Sequence, residues 1–301
     1  MYDLVILGGG PAGLTSGIYA QRARLNTVLV EKMGVGGQVS ITDVIENYPG
    51  FPSIGGPELI QKFEEHARKF GLPIELAEVT SIEDRGKFKV IKTSEGDFET
   101  KAVIVATGAH PRKLGIPGEK EFAGKGVSYC ATCDGFFYKQ KDIVVVGGGD
   151  TAIKETLYLA KIVNKVKLVH RRDALRAEKI WQERALAEPK IDWLWNSVVE
   201  EIKGNTGVNR VVVKNVKDQT RKELTVEGIF IFVGIIPNTQ FVKVKKDSGG
   251  FIITDEKMET SIPGIFAAGD CRAQSLKQIS TAVGEGALAT SAAEQYLESL
   301  R

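Results

Sequence analysis

Two glycine loops, each set between a strand-length apolar run and a helix, predict an α/β fold with two dinucleotide-binding domains. They are Gly8–Gly13 and Gly147–Ala152. Three observations carry the prediction. Each loop has the spacing of a phosphate-binding turn, each is followed by a helix and a second apolar strand, and the second unit repeats the grammar of the first, an internal duplication. A late apolar run, Ile265–Gly269, predicts that the C-terminal segment returns to complete the first domain. The expected organisation is therefore a first domain over residues 1–111, a second over 112–240, and the remainder of the first over 241–301.

In the first unit, Asp3–Leu7 has strand length and Gly8–Gly10 cannot continue it. Pro11 suits a first helical turn, where its missing N–H has no partner to lose. A helix is predicted over Pro11–Arg24, with Leu14, Ile18 and Ala20 apolar, and then a buried strand Thr27–Val30 closed by Glu31. In the second unit the strand is Asp142–Val146, the turn Gly147–Gly149, the helix Thr151–Val163 and the next strand Lys165–Val169. Ala102–Gly108, Ile229–Gly234 and Ile265–Gly269 are apolar strands ending in glycine turns. β-rich stretches occupy Ile74–Ile82, Lys87–Thr93, Val208–Val216 and Glu223–Phe232, and a last helix covers Thr281–Leu300.

Composition bounds the function. The chain has 301 residues, too many for one ordinary core, and a net charge of only +2. Basic residues are scattered apart from His170–Arg172, so neither nucleic acid nor an acidic membrane surface is an expected partner. No apolar stretch approaches the roughly 18 residues of a membrane span. The apolar N-terminus lacks a basic lead and is interrupted by glycines, so no signal peptide is expected and the predicted location is cytoplasmic. Three cysteines, Cys130, Cys133 and Cys271, argue against a secreted disulfide framework.

The loops have a shared chemistry. In Gly8-x-Gly10-x-x-Gly13 the first glycine permits the turn, the second admits a pyrophosphate and the third lets helix and strand approach. The helix N-terminus offers unpaired N–H groups to the phosphates. Glu31 stands near the ~20-residue offset of a ribose-binding acid and suits an unphosphorylated ribose, as in FAD. The second fingerprint, Gly147-x-Gly149-x-x-Ala152, is followed by no acid. Its second strand ends in His170, Arg171 and Arg172, with Arg176 beyond. Guanidinium groups hold a ribose 2′-phosphate and a carboxylate repels it, so this site is expected to take NADPH. A basic run is more often a solvated patch, but its place at the end of a second nucleotide strand favours the binding role. Two nucleotides in one chain imply electron transfer between them.

Cys130-Ala131-Thr132-Cys133 precedes the second nucleotide strand. Such a pair can form a small-loop disulfide, and its surroundings commonly favour the thiolate. Asp134 is the local acid–base candidate, with a turn role before Gly135 as the alternative. Half a zinc site would need two more ligands at finger-like spacing, and Cys271, His66, His110 and His170 are scattered, so no metal is expected. A purely structural disulfide gains little from closing so short a loop. Cys271 reads as a buried or bystander thiol.

Taken in order, the motifs resemble the low-molecular-weight thioredoxin reductases over essentially the whole chain. They are Gly8–Gly13 (GGGPAG), Gly36–Gln38 (GGQ), Glu46–Gly50 (ENYPG), Ala106–Gly108 (ATG), Cys130–Gly135 (CATCDG), Gly147–Ala152 (GGGDTA), His170–Arg176 (HRRDALR), Gly264–Asp270 (GIFAAGD) and Lys277-Gln278. The resemblance implies an FAD domain split around an NADPH domain, a homodimer, and rotation of the smaller domain during the cycle. It implies that NADPH reduces FAD, that reduced flavin opens a Cys130–Cys133 disulfide, and that Cys130 then attacks thioredoxin. Cys133 would be the sulfur nearest the flavin and Asp134 the acid or base. It assigns FAD contacts to Gly8, Gly10, Pro11, Ala12, Gly13, Glu31, Gly37, Gln38, Asn47, Thr107, Gly108, Gly269, Asp270, Lys277, Gln278 and Ile279. It assigns NADPH contacts to Gly147, Gly149, Asp150, Thr151, His170, Arg171, Arg172 and Arg176. One departure is Leu276-Lys277-Gln278 where many relatives carry Tyr-Arg-Gln. The competing readings are a glutaredoxin-like or peroxidase-linked acceptor, a different electron donor, and a redox sensor without turnover.

Overall fold

The computed structural model describes every residue except Asp43, Ser275 and Arg301. Along the chain, β1 (Tyr2–Leu7), α1 (Pro11–Arg22) and β2 (Thr27–Glu31) come first. There follow α2 (Gly56–Lys69), β3 (Ile74–Leu76), β4 (Val79–Asp84), β5 (Lys89–Thr93), β6 (Asp97–Val105) and β7 (Ala109–Pro111). The middle of the chain holds β8 (Val127–Ser128), α3 (Ala131–Asp134), β9 (Asp142–Gly147), α4 (Asp150–Ala160), β10 (Lys165–Val169) and α5 (Lys179–Leu186). Next come β11 (Ile191–Leu194), β12 (Ser197–Gly204), β13 (Val208–Asn215), β14 (Arg221–Thr225), β15 (Gly228–Phe232) and β16 (Ile235–Pro237). The chain closes with β17 (Ile265–Ala267) and α6 (Ile279–Ser299). It divides into two compact units, Met1–His110 with Ile236–Arg301, and Pro111–Ile235.

The discontinuous unit is built on a sheet of order β3-β2-β1-β6-β5-β4, with β17 also paired to β6. β1 lies parallel between β2 and β6, so Ile6 is level with Leu29 and Ile104. The stretches Leu4–Leu7, Val28–Val30 and Ala102–Val105 of these strands are apolar and buried because both faces are covered there. Leu4, Ile6, Leu29 and Ile104 pack with Leu14 and Ala20 of α1 and Ala289 and Ala293 of α6. Val5, Leu7, Val28, Val103 and Val105 point the other way, onto Ile91, Val242 and Ile252. The alternation is the period of two expected of a strand.

The continuous unit has a parallel sheet of order β11-β10-β9-β15-β8. Ile143, Val145, Leu168 and Phe230 pack under Ile153 and Leu159 of α4 and Ala185 of α5. Val144, Val146, Ile229 and Ile231 meet Val199, Ile202, Val211 and Val213 from an antiparallel sheet β12-β13-β14. The stretch Glu223–Phe232, read from sequence as one β-rich run, is split between these two sheets. Residues up to Thr225 pair antiparallel with β13, and from Gly228 the chain pairs parallel with β9. Among the described residues no helix is long and apolar enough to cross a membrane.

Candidate functional site

Both glycine loops sit at the carboxyl end of a central strand. In the first, Gly8 has φ +105°, and a Cβ there would stand 2.5 Å from the Ala106 carbonyl oxygen. A Cβ at Gly13 would lie 1.8 Å from the Gly8 oxygen. In the second, a Cβ at Gly147 would meet the Phe232 oxygen at 2.6 Å, and one at Gly148 would run into the His170 ring at 2.3 Å. These glycines are required by the protein's own packing.

Gly10 and Gly149 differ. A Cβ at either would meet nothing among the described residues within 4 Å. Their backbones, at φ −77°, ψ −176° and φ −95°, ψ 179°, are extended conformations that any residue adopts. Each is the N-cap of the helix that follows, α1 or α4, and neither helix has a side-chain cap. The first-turn N–H groups of a helix have no intrahelical partner. Each loop therefore presents open space in front of donors, the form a phosphate group fills.

Around the first loop, Glu31 Oε2 accepts the Gly9 N–H at 2.7 Å, and Oε1 accepts from Lys32 and Met33 at 2.8 and 3.2 Å. Three bonds leave a carboxylate with accepting capacity. Thr107 and Gly108 follow β6, and Thr107 is bonded twice to Asn238: Oγ1 donates to the Asn238 carbonyl at 2.6 Å and the Asn238 amide donates back at 2.9 Å. Gly37 and Gln38 begin an exposed 3₁₀ turn. Asn47 Nδ2 donates to Gln278 Oε1 at 3.1 Å, and Gln278 with Thr281 forms a reciprocal cap on α6, which starts at Ile279.

Next to this cap, the Gly269 N–H donates to Glu285 Oε2 at 2.8 Å, and Glu285 is paired with Arg272 at 2.9 Å, both largely buried. Asp270 Oδ1 is buried with no hydrogen-bond partner among the described residues. Burial holds the Asp270 carboxyl above the usual carboxylate range, with Lys277 opposing and Glu285 adding to the shift. Lys277 Nζ donates to the Asp270 and Arg272 carbonyls at 2.9 and 3.0 Å and lies 4.2 Å from the centre of the Phe251 ring. An orphaned buried oxygen costs free energy unless something donates to it. A ligand hydroxyl would fit that need. Cys271 is fully buried, its thiol faces the Val105 and Ala268 carbonyls, and burial pushes it up to about 11, so it is an inert core thiol.

In the continuous unit, the loop after β10 carries Arg171, Arg172 and Arg176, all exposed and without a carboxylate partner among the described residues. His170 is buried, its ring beneath Gly148 and its Nε2 3.1 Å from the Ala174 carbonyl. Burial first, and the charges of Arg176 and Arg172 as well, hold its imidazole below the ordinary range against hydrogen bonds that raise it. Thr151 is exposed on the first turn of α4.

Cys130 and Cys133 form a disulfide across the start of α3, both half-buried, with Cα atoms 5.3 Å apart. Cys130 is the N-cap of α3, and its Sγ accepts the Cys133 N–H at 3.2 Å. Asp134 Oδ2 accepts from Ser128 Oγ at 2.5 Å, and Ser128 Oγ in turn accepts the Cys130 N–H at 3.1 Å. Ser128 is buried in β8, level with Phe230 of β15. The preceding residue is fixed too: Tyr129 donates to Glu119 at 2.9 Å, and Glu119 also accepts the Leu114 and Gly115 N–H groups. Burial, with the charge of Asp134 behind it, pushes the Tyr138 phenol up to about 12. Sequence reasoning missed Ser128, Asn238 and Glu285. Ser128 alone had a local signal, a serine two residues before a cysteine. Among the described residues no group of three or more His, Cys, Asp or Glu could hold a metal ion.

Residues 2–286 match the family model described as pyridine nucleotide-disulphide oxidoreductase. A thioredoxin reductase of Peptoclostridium acidaminophilum is 48% identical, over 99% of this chain and 98% of that protein. One of Bacillus subtilis is 45% identical over 100% of this chain and 96% of that protein. Among solved structures, thioredoxin reductase from Streptococcus pyogenes superposes with a TM-score of 0.95 at 49% identity, covering 99% of both chains.

Proposed function

The chain belongs to the pyridine nucleotide-disulphide oxidoreductase family, and on that premise we propose that it is a thioredoxin-disulfide reductase, carrying electrons from NADPH through FAD and the Cys130–Cys133 disulfide to oxidised thioredoxin. The discontinuous unit is read as the FAD domain and the continuous unit as the NADPH domain. The reading includes a homodimer working in the cytoplasm. The observation that carries it is that one chain combines two glycine openings of the same kind, at Gly10 and Gly149, with a short-loop disulfide at Cys130 and Cys133.

The residues fit both cofactors. Gly10, the first turn of α1, Glu31 and the buried Asp270 Oδ1, which has no hydrogen-bond partner among the described residues, would hold FAD, with Thr107, Lys277 and Gln278 around it. Gly149, the first turn of α4 and the three exposed arginines would hold NADPH. When bound, FAD supplies the step from a hydride donor to a disulfide. The protein's own part follows. With the disulfide reduced, the Cys133 N–H directed at Cys130 Sγ stabilises negative charge on that sulfur. The Cys130 thiolate attacks one sulfur of the thioredoxin disulfide, whose other sulfur leaves and takes a proton. The Cys133 thiolate then attacks the mixed disulfide, restoring Cys130–Cys133 and releasing reduced thioredoxin. Asp134, held by Ser128 and adjacent in sequence to Cys133, is read as the acid or base that exchanges protons with the pair.

The test is an anaerobic stopped-flow titration with NADPH and with NADH, followed at the flavin absorbance band, then addition of oxidised thioredoxin. The expected result is bleaching by NADPH at low concentration and recovery on adding thioredoxin. A flavin reduced by neither nicotinamide would move the donor elsewhere. Recovery with a glutaredoxin-like protein but not with thioredoxin would change the acceptor.

A further inference from the structure

The basic loop after β10 is tied to the second glycine turn at successive points. Its first residue, His170, lies under Gly148, where a Cβ would meet the ring at 2.3 Å. The Arg176 N–H donates to the Gly148 carbonyl at 2.8 Å. The Glu178 N–H, at the start of α5, donates to Asp150 Oδ1 at 2.8 Å. On the far side the Arg172 carbonyl accepts from the Asn196 N–H at 3.1 Å, and the His170 carbonyl accepts from Ser197 at 2.9 Å. Among these ties Asp150 is the one side chain of the glycine turn and helix α4 that reaches the arginine loop.

Asp150 is also the first residue of α4, directly after Gly149. A carboxylate is the wrong charge for a direct contact with a pyrophosphate, which the helix N-terminus otherwise attracts. Its Oδ1 is committed to a backbone N–H in the arginine loop instead. We propose that Asp150 is a positioning residue for nucleotide specificity: it fixes the loop bearing Arg171, Arg172 and Arg176 over the glycine turn, and so governs recognition of the ribose 2′-phosphate while leaving the rest of the nucleotide to the turn. This rests on the NADPH reading of the second loop.

The FAD-loaded protein is titrated by calorimetry with 2′,5′-ADP, which carries the 2′-phosphate, and with 5′-AMP, which lacks it. The wild type binds 2′,5′-ADP more tightly. If it shows no such preference, the NADPH reading itself fails. Asp150→Ala weakens 2′,5′-ADP about tenfold, the size of one hydrogen bond to a charged group, and changes 5′-AMP by less than about twofold. Asp150→Asn keeps the oxygen acceptor and restores 2′,5′-ADP binding to within about twofold. Glu178→Pro removes the donor from the other end, at a φ of −57° that suits proline, and gives the same selective loss with Asp150 intact. Equal weakening of both ligands in Asp150→Ala would mean that Asp150 acts on the shared part of the nucleotide, and the proposal falls. No change in either ligand, for Asp150→Ala and Glu178→Pro alike, overturns it as well.

Discussion

Ser128 has one hydroxyl proton and two acceptors within reach, the Asp134 carboxylate at 2.5 Å and the Cys130 carbonyl at 3.2 Å. The shorter, charge-assisted bond takes the proton. It ties the Asp134 carboxylate to β8, while the Cys130 N–H donated to the Ser128 hydroxyl oxygen fixes the first cysteine. Ser128→Ala is expected to slow thioredoxin turnover by about tenfold, the size of one hydrogen bond to a carboxylate, and to spare the bleaching of flavin by NADPH. Steady-state turnover compared with single-turnover flavin reduction checks this; an equal loss in both would place Ser128 in general folding. At this scale the sequence named Cys130, Cys133 and Asp134 because their chemistry is written in the residue types. It did not name Asn238 or Glu285, because an amide and a carboxylate gain their roles only when folding brings Thr107 or Gly269 beside them, 131 and 16 residues away. Nor could it tell that His170 lies under the glycine turn while its three basic neighbours face out.

The elements meet through small residues. Where α1 crosses α6, Ser16 Oγ donates to the Gly286 carbonyl at 3.0 Å, and Thr290 Oγ1 lies 3.2 Å from the Ser16 carbonyl. A Cβ at Gly286 would stand 2.3 Å from the Ala12 backbone oxygen. Backbone cannot yield as a flexible side chain can, so Gly286→Ala pushes α6 away from the turn that opens α1. A loss of about 1–3 kcal/mol is expected, typical of overpacking a tight contact, together with weaker flavin retention. Thermal unfolding with flavin release measures both, and an unchanged melting temperature would show the crossing to be loose. The elements of the two nucleotide units were legible from apolar runs and glycine loops, with ends off by a few residues. α1 stops at Arg22 rather than Arg24, and α4 spans Asp150–Ala160 rather than Thr151–Val163. α2 lay outside the elements read from sequence although Leu59, Phe63 and Ala67 carry the i, i+4, i+8 spacing of a buried helix face. Charged residues between them hid it.

On the scale of the whole molecule, one unit is inserted in the other, and each is pinned at its own cut. In the discontinuous unit the Asn238 N–H donates to the Gly108 carbonyl at 3.0 Å. In the continuous unit the Arg112 N–H donates to the Gly234 carbonyl at 2.9 Å. Adjacent ends make an insertion separable. Joining His110 to Ile236 through a few glycines is expected to give a folded, yellow, FAD-binding protein, and residues 111–235 alone a folded one that binds 2′,5′-ADP. Circular dichroism and gel filtration with the flavin band check the first, calorimetry the second; two unfolded fragments would mean that neither core stands by itself. The split also sets an order of events on the ribosome. The sheet strand β17 and the helix α6, which cover β6 and α1, leave the tunnel last. About 256 residues separate the end of α1 from the start of α6, so at ~5–20 residues per second the apolar face of α1 waits ~13–50 s for its partner. The inserted unit is complete before that wait ends. The first-made domain is thus the last to close, and the nascent chain needs shelter for Leu14 and Ala20 until its final helix arrives.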